Sequence, residues 1–406
     1  MEFLKISYMS KCMKQLEVVL KTVERCNINC SYCYMFNMGD KTYNSRPPYM
    51  SKDIAIKLAE FLKTGCKELG VGTLIIAFHG GEPLMQKKED FKYFCELFYS
   101  VLGKCVDICL YVHTNAMLID HEWINLFVKY NVGVGVSIDG LKNQHDIYRK
   151  DKRGKGTYDK VIQGIKILSE NKRINEMGDY GLLCVINPDN DAKKIYRHFV
   201  DDLNARCIDF LLPHANYDLS PISSASAYGK YLLDIFDEWI KDDDPTIYVR
   251  VISSTLDVML GENSHYMYGI GSAGQSVPII CINSDGSVSP TDEFRTMSSE
   301  LVYTASYVDN ISLKDYLELP LFRKFSFATS NLAKECNECK WMKICNGGSI
   351  VNRFSKENGF DNSSVYCAGL KIFYEGISSY LRKNMPPSQY QMVSKFGKTI
   401  CVEKGT

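Results

Sequence analysis

Short apolar runs punctuate the first half of the chain, each followed by an amphipathic stretch. Val18-Val19-Leu20, Leu74-Ile75-Ile76-Ala77-Phe78, Cys109-Leu110-Tyr111-Val112-His113, Val132-Gly133-Val134-Gly135-Val136-Ser137-Ile138, Leu182-Leu183-Cys184-Val185-Ile186 and Ile208-Asp209-Phe210-Leu211-Leu212 predict six strands. Between them apolar residues return at helical spacing, as over 53–66 and over 158–168, where Ile162, Ile165, Ile167 and Leu168 supply the buried stripe. Strands alternating with helices predict βα units around a parallel sheet. Six units are too few to close an eight-stranded barrel, so the pattern predicts an α/β fold with a partial (β/α)6 barrel over 17–223.

The second half reads differently. Residues 224–261 predict a helical linker, with Tyr231, Leu232, Ile235, Phe236 and Trp239 as its apolar positions. Residues 262–370 are rich in Gly, Ser and Cys and poor in helical period, which predicts a small domain held partly by metal. A helix over 368–383 and a loosely attached tail containing Pro386-Pro387 make up the C-terminal part, 371–406. Residues 1–16 form an N-terminal extension without the unbroken apolar stretch of a signal peptide. No apolar run approaches the ~20 residues of a membrane span.

Charge and cysteine usage narrow the chemistry. Forty-eight basic residues balance 48 acidic ones, which argues against a nucleic-acid partner. Sixteen cysteines in a chain read as cytoplasmic point to metal binding or catalysis rather than disulfides. Cys26, Cys30 and Cys33 are spaced C-x3-C-x2-C. Structural zinc prefers four ligands in C-x2-C pairs, whereas three thiolates can hold a four-iron cube and leave one iron open to a chelating cofactor. Polar and glycine-rich groups follow the strands, on the rim where ligands of parallel α/β folds bind: Gly80-Gly81-Glu82-Pro83, Asn115, Ser137. Gly80, Gly81 and Glu82 would cradle an ammonium, and Ser137 and Arg149 would meet a ribose and a carboxylate. Cys336, Cys339, Cys345 and Cys367 make a closed four-thiolate set, either zinc or a second iron–sulfur cluster. Cys281 lacks companions, because Thr291 and Ser349 stand where further thiolates would be expected. Asp292 is a turn cap or a base.

Together these residues resemble a family. Cys26 to Asn37, Phe78-His79-Gly80-Gly81-Glu82-Pro83-Leu84, Ser137-Ile138-Asp139-Gly140 with Arg149, Gly156-Thr157-Tyr158, and Cys345-Asn346-Gly347-Gly348 resemble the radical S-adenosylmethionine (SAM) enzymes with a SPASM-type C-terminal extension. The stretch from Arg353 to Cys367 looks most like the maturases that build cyclophane cross-links in ribosomal peptides. The resemblance implies a TIM-like partial barrel and a SPASM-like auxiliary-cluster domain. It implies that Cys26, Cys30 and Cys33 hold the [4Fe-4S] cluster that cleaves SAM, and that Gly80, Gly81, Glu82, Asn115, Ser137, Arg149 and Tyr32 line the cofactor pocket. Cys336, Cys339, Cys345 and Cys367 would ligate one auxiliary [4Fe-4S] cluster, and Asp292 would be the catalytic base. A deoxyadenosyl radical would take a hydrogen from a side chain of a precursor peptide, and the carbon radical would join an aromatic ring. The implied partners are that peptide, recognised by the barrel, by the C-terminal domain or by a separate leader-binding protein, and an electron donor such as a flavodoxin or ferredoxin. The rival readings are a thioether-forming maturase, an enzyme that oxidises a protein Ser or Cys to formylglycine, and a non-catalytic zinc-bound peptide-binding protein.

Overall fold

The computed structural model describes residues 15–171, 174, 180–262, 278–302 and 305–385; most of the N-terminal extension and the tail with Pro386-Pro387 lie outside the described residues. All six predicted strands form, as β1 (Gln15–Val23), β2 (Thr73–Gly80), β3 (Asp107–Thr114), β4 (Val132–Ser137), β5 (Tyr180–Val185) and β6 (Cys207–Leu211). They pair in parallel in chain order, which makes a partial barrel of βα units. The helices that follow the first five are α1 (Lys52–Leu69), α2 (Lys88–Leu102), α3 (His121–Lys129), the pair α4 (Lys142–Tyr148) and α5 (Tyr158–Ser169), and α6 (Ala192–Arg197). No helix among the described residues is long and apolar enough to cross a membrane.

Strand parity divides the residues between two faces. Val18, Leu20, Leu74, Ile76, Phe78, Val112 and Val134 are buried under the helices. Phe78, Phe91, Trp123 and Phe127 stack there, with ring centroids 4.7 Å apart for Phe78–Phe91 and 5.2 Å for Phe91–Trp123. Each such ring contributes roughly 1.5–3 kcal/mol by burial. The alternate positions face the inside of the curve. Lys21 pairs with His79, and His113 pairs with Gly135, which sets one polar layer near the carboxyl ends of the strands.

Two differences from the sequence reading arise after β6. Residues 224–261 are not one helical run but α7 (Ala225–Asp242), a short β7 (Tyr248–Val249) beside β6, and α8 (Arg250–Met259). Asp243 turns left-handed, and Pro245, which has no N–H and disfavours helix in the residue before it, ends the first helix. Beyond that, β8 (Ile279–Ile282) pairs in parallel with β1 and carries the antiparallel β9 (Val288–Ser289). The C-terminal region thus adds two strands to the barrel's own sheet, whose order is β7-β6-β5-β4-β3-β2-β1-β8-β9.

The last helix, α9 (Cys367–Asn384), crosses α7 at two glycines. A Cβ on Gly369 would lie 1.9 Å from the Ala225 carbonyl oxygen, and one on Gly229 would lie 2.1 Å from that of Gly369. Gly369→Val forces the two backbones apart and is expected to destabilise the protein by about 2–3 kcal/mol, read as a lower urea midpoint.

Candidate active site

The loop after β1 is wound by its own backbone. Cys33 N–H donates to the Cys30 carbonyl, and Phe36 and Asn37 N–H donate to that of Cys33. The Asn37 amide donates to the Cys30 carbonyl at 2.7 Å. This winding buries Cys26 and Cys30 and leaves Cys33 half-buried, packed with Ile28, Tyr32 and Phe36. The end of β2 clamps the loop: Gly81 and Glu82 N–H donate to the Val23 and Arg25 carbonyls, both at 2.9 Å. A Cβ on Gly81 would lie 2.1 Å from the Arg25 carbonyl oxygen, so only glycine permits this approach. Gly80, also pressed on Val23, has φ +124°.

Glu82 is more occupied than its sequence assignment implies. Its buried carboxylate accepts from Leu84 N–H, Thr114 Oγ1 (2.7 Å) and Asn115 N–H (2.7 Å), tying the ends of β2 and β3. Asn115 in turn donates to Asn27 Oδ1 at 2.7 Å, beside Cys26. Burial pushes the Cys26 thiol up to about 12, helped by Glu82 and by Cys30 and Cys33; burial takes Cys30 to about 11 against the pull of Arg149. Cys26 and Cys30 belong to one small packed cluster on this loop, with Cys33 against it.

A second network surrounds Arg149. Its Nη1 donates to Tyr32 Oη at 2.7 Å, and Tyr32 donates to Asp139. Asp139 accepts from Val185 N–H, while its own N–H donates to His145 Nδ1 at 3.3 Å. Thr157 Oγ1 donates to the Arg149 carbonyl, so His145 Nε2–H donates to Thr157. Burial, with Arg149 nearby, lowers His145 to about 3 and keeps it neutral. Arg149 Nε is buried and has no hydrogen-bond partner among the described residues. Ser137 ends β4 half-buried, and its hydroxyl makes no hydrogen bond with a described residue.

The third group contains Asp292. Its Oδ2 accepts from Lys21 Nζ at 2.7 Å and from Tyr34 Oη at 2.6 Å, with His79 Nδ1 at 4.0 Å. Oδ1 accepts no hydrogen bond from a described residue. Burial alone would raise this carboxyl, but the Lys21 ammonium, His79 and the Tyr34 hydroxyl hold it well below the usual carboxylate range. Lys21 is fully buried. A second buried pair, Asp40–Arg295 at 2.6 Å, binds the same C-terminal turn to the segment following the cysteine loop.

Cys336, Cys339, Cys345 and Cys367 line one small cavity of about 40 Å³, floored by Trp341 and Tyr374. Cys281 is buried elsewhere, on β8, with Lys21, Asp292 and Arg295 as its charged neighbours. Among the described residues no His, Cys, Asp and Glu side chains are grouped tightly enough for a single metal ion. A four-iron cube spreads its thiolates further apart than one ion does. Two buried thiols and a half-buried one on a single loop suit a cationic iron–sulfur core, and Arg149 Nε, without a partner among the described residues, suits a carboxylate on its ligand.

Lys21, Tyr34 and His145 were not singled out as site residues from the sequence. A lysine closing the apolar run Val18-Val19-Leu20 was the available signal, because a strand charge that faces a barrel interior needs a partner.

Residues 20–197 match the model of the Radical SAM superfamily. A cysteine-type anaerobic sulfatase-maturating enzyme of Clostridium perfringens is 28% identical over 377 residues, covering 89% of this chain and 96% of that protein. A serine-type anaerobic sulfatase-maturating enzyme of Bacteroides thetaiotaomicron is 26% identical over 400 residues, covering 91% of each. Among solved structures, anSMEcpe with bound AdoMet and the Cp18Cys peptide superposes with a TM-score of 0.77 at 24% identity, over 91% of this chain and 98% of that one. Streptococcus suis SuiB bound to the precursor peptide SuiA gives 0.59 at 18% identity, over 87% and 76%. The fold is therefore that of the TIM-like radical SAM core.

Two outcomes are expected. Lys21→Met strands the Asp292 carboxylate and destabilises by about 3–5 kcal/mol, while adding Asp292→Asn restores part of the loss; denaturant midpoints of the single and double variants measure both. For His145 the folded pKa lies below the unfolded ~6.5, so between ~6.5 and about 3 the unfolded chain takes up a proton that the folded one refuses. Stability falls as pH drops through that window, by up to ~1.4 kcal/mol per pH unit from this group. His145→Gln is expected to flatten that slope.

Proposed function

We propose, from the premise that this chain is a radical S-adenosylmethionine enzyme, that it oxidises a side chain within a peptide or protein by two electrons. Cys26, Cys30 and Cys33 would hold the SAM-cleaving cluster, and Arg149, Ser137, Asn115, Tyr32 and the Gly80-Gly81-Glu82 turn would shape the pocket for its ligand. Cys336, Cys339, Cys345 and Cys367 would hold the auxiliary cluster. When bound, these groups supply a radical that abstracts a hydrogen atom and an acceptor for the electron that follows.

The chain's own contribution is proton acceptance, orientation and exclusion of water. The observation that carries the reading is Asp292: a buried anion fixed through Oδ2 by Lys21 and Tyr34, with Oδ1 left open. A carboxylate so stabilised is a weak base at rest. It suits a proton that oxidation of the substrate has made acidic, and the neutral outcome is a substrate short of two hydrogens. Lys21 and Tyr34 position Asp292 rather than touch the substrate.

Two products fit this sequence of losses. Relatives named as sulfatase-maturating enzymes, aligned along nearly the whole chain, support oxidation of a Cys or Ser to formylglycine. The motif from Arg353 to Cys367, with Thr291 and Ser349 in place of further thiolates, favours the second reading, a carbon–carbon cross-link to an aromatic ring of a precursor peptide.

Anaerobically reconstituted enzyme with SAM and dithionite is expected to release 5′-deoxyadenosine, and Cys30→Ala to abolish it; retained formation refutes the cluster assignment. With Ser- or Cys-containing sulfatase peptides, a product trapped by an aldehyde-reactive hydroxylamine marks formylglycine. With aromatic-containing precursor peptides, loss of two hydrogens without a trappable aldehyde marks the cross-link. Absence of both products refutes the two-electron reading.

A further inference from the structure

A reductive chemistry of this kind needs one electron delivered to the N-terminal cluster, and the chain offers a built surface for its donor. Resting on the function proposed above, we infer that the turn at 150–155 is the docking site of an acidic one-electron redox protein.

Lys150, Lys152, Arg153 and Lys155 are all exposed, four cations against the single carboxylate of Asp151 in a chain whose net charge is zero. They are not a floppy run. Lys150 and Gly156 form an antiparallel bridge, Asp151 N–H donates to the Lys155 carbonyl at 2.8 Å, and Gly154 turns the chain at φ +78°. Asp151 Oδ1 accepts from Arg153 and Lys155 N–H at 2.8 and 2.9 Å, so the one carboxylate is spent on holding the turn. Nearby acids are committed as well: Asp146 accepts from Tyr158 N–H, and Asp159 pairs with Lys142.

The second observation is where this turn is anchored. Asn29 N–H donates to the Lys150 carbonyl at 2.7 Å and Ser31 N–H to that of Tyr148 at 3.0 Å, on either side of Cys30. Ile28 forms an antiparallel bridge with Asp151. The cations are therefore carried by the same short segment that grips the cysteine loop, and Asn29 and Ser31 are themselves exposed. A protein seated on this turn sits against the backbone flanking a cluster thiol. Electron transfer decays steeply with distance, so a charged surface this close to the acceptor both attracts the donor and shortens the transfer. The step moves one electron from donor to cluster; no atom or proton changes place.

The test uses reconstituted holoenzyme under anaerobic conditions with a flavodoxin as probe. Lys152→Glu/Arg153→Glu/Lys155→Glu is expected to weaken flavodoxin binding by about tenfold or more at low salt and to remove its salt dependence. Stopped-flow reduction of the cluster by flavodoxin hydroquinone is expected to slow to a similar degree. SAM cleavage driven by dithionite should be unchanged, and the single variants Lys152→Glu and Arg153→Glu should fall between. Lys52→Glu/Lys67→Glu on α1 serves as the charge control and should leave flavodoxin binding as it is. Unaltered flavodoxin affinity and reduction rate in the triple variant overturn the proposal. So does a raised KM for the peptide with flavodoxin binding intact, which would move the turn to substrate recognition. If the wild-type enzyme fails to cleave SAM with dithionite, the cluster reading falls, and the binding measurement still decides the docking.

Discussion

Everything at the mouth of this barrel is arranged around an ammonium buried away from the surface. Lys21 is fully buried, and Asp292, 271 residues later in the chain, is the anion that makes its burial tolerable. Removing either partner would leave an uncompensated charge in a low-dielectric site. The pair therefore fixes the C-terminal turn onto the first strand with little freedom, and Tyr34, from the cysteine loop, completes the hold. One carboxylate thus joins the first strand, the cysteine loop and the C-terminal region. Asp40–Arg295 repeats the device a few residues away. Position and charge state of the proposed base are set by the same contact that closes the fold.

The strands were legible because parallel βα folds leave an alternating record: apolar runs of strand length, helical spacing between them, and polar groups at the strand ends. Five came through within two residues at either end, and β1 runs three residues beyond Val18-Val19-Leu20 on each side. The break at Asp243 was less visible, because the apolar stripe from Tyr231 to Trp239 gives no hint that Pro245 and a two-residue strand follow. The attachment of β8 beside β1 was not legible at all. A four-residue strand carries too little period to declare its neighbour, and its pairing depends on a contact far away in sequence.

The same division runs through the site. Contiguous motifs declare themselves: three cysteines on one loop, two glycines pressed on its backbone, four cysteines around one cavity. Roles that depend on who meets whom do not. Glu82 reads as a ligand for an ammonium, yet its oxygens accept from Leu84, Thr114 and Asn115 and lock two strand ends together. Arg149 reads as a carboxylate partner, yet in the structure it donates to Tyr32, and its buried Nε has no partner among the described residues. His145 gives no sign in the sequence of being the link between Asp139 and Thr157.

The position of β1 inside the sheet has a bearing on biosynthesis. The earliest of the described strands, β1, lies between β2 and β8, so among the described strands one of its edges has no neighbour until residues 279–282 have emerged. Through that interval the nascent barrel carries an unpaired edge beside a lysine still lacking its counter-ion, a state prone to wrong pairings. Completion of β1 is thus deferred to a strand about 260 residues later, and the described strands β1 to β6 on their own make an unfinished sheet rather than a self-sufficient domain.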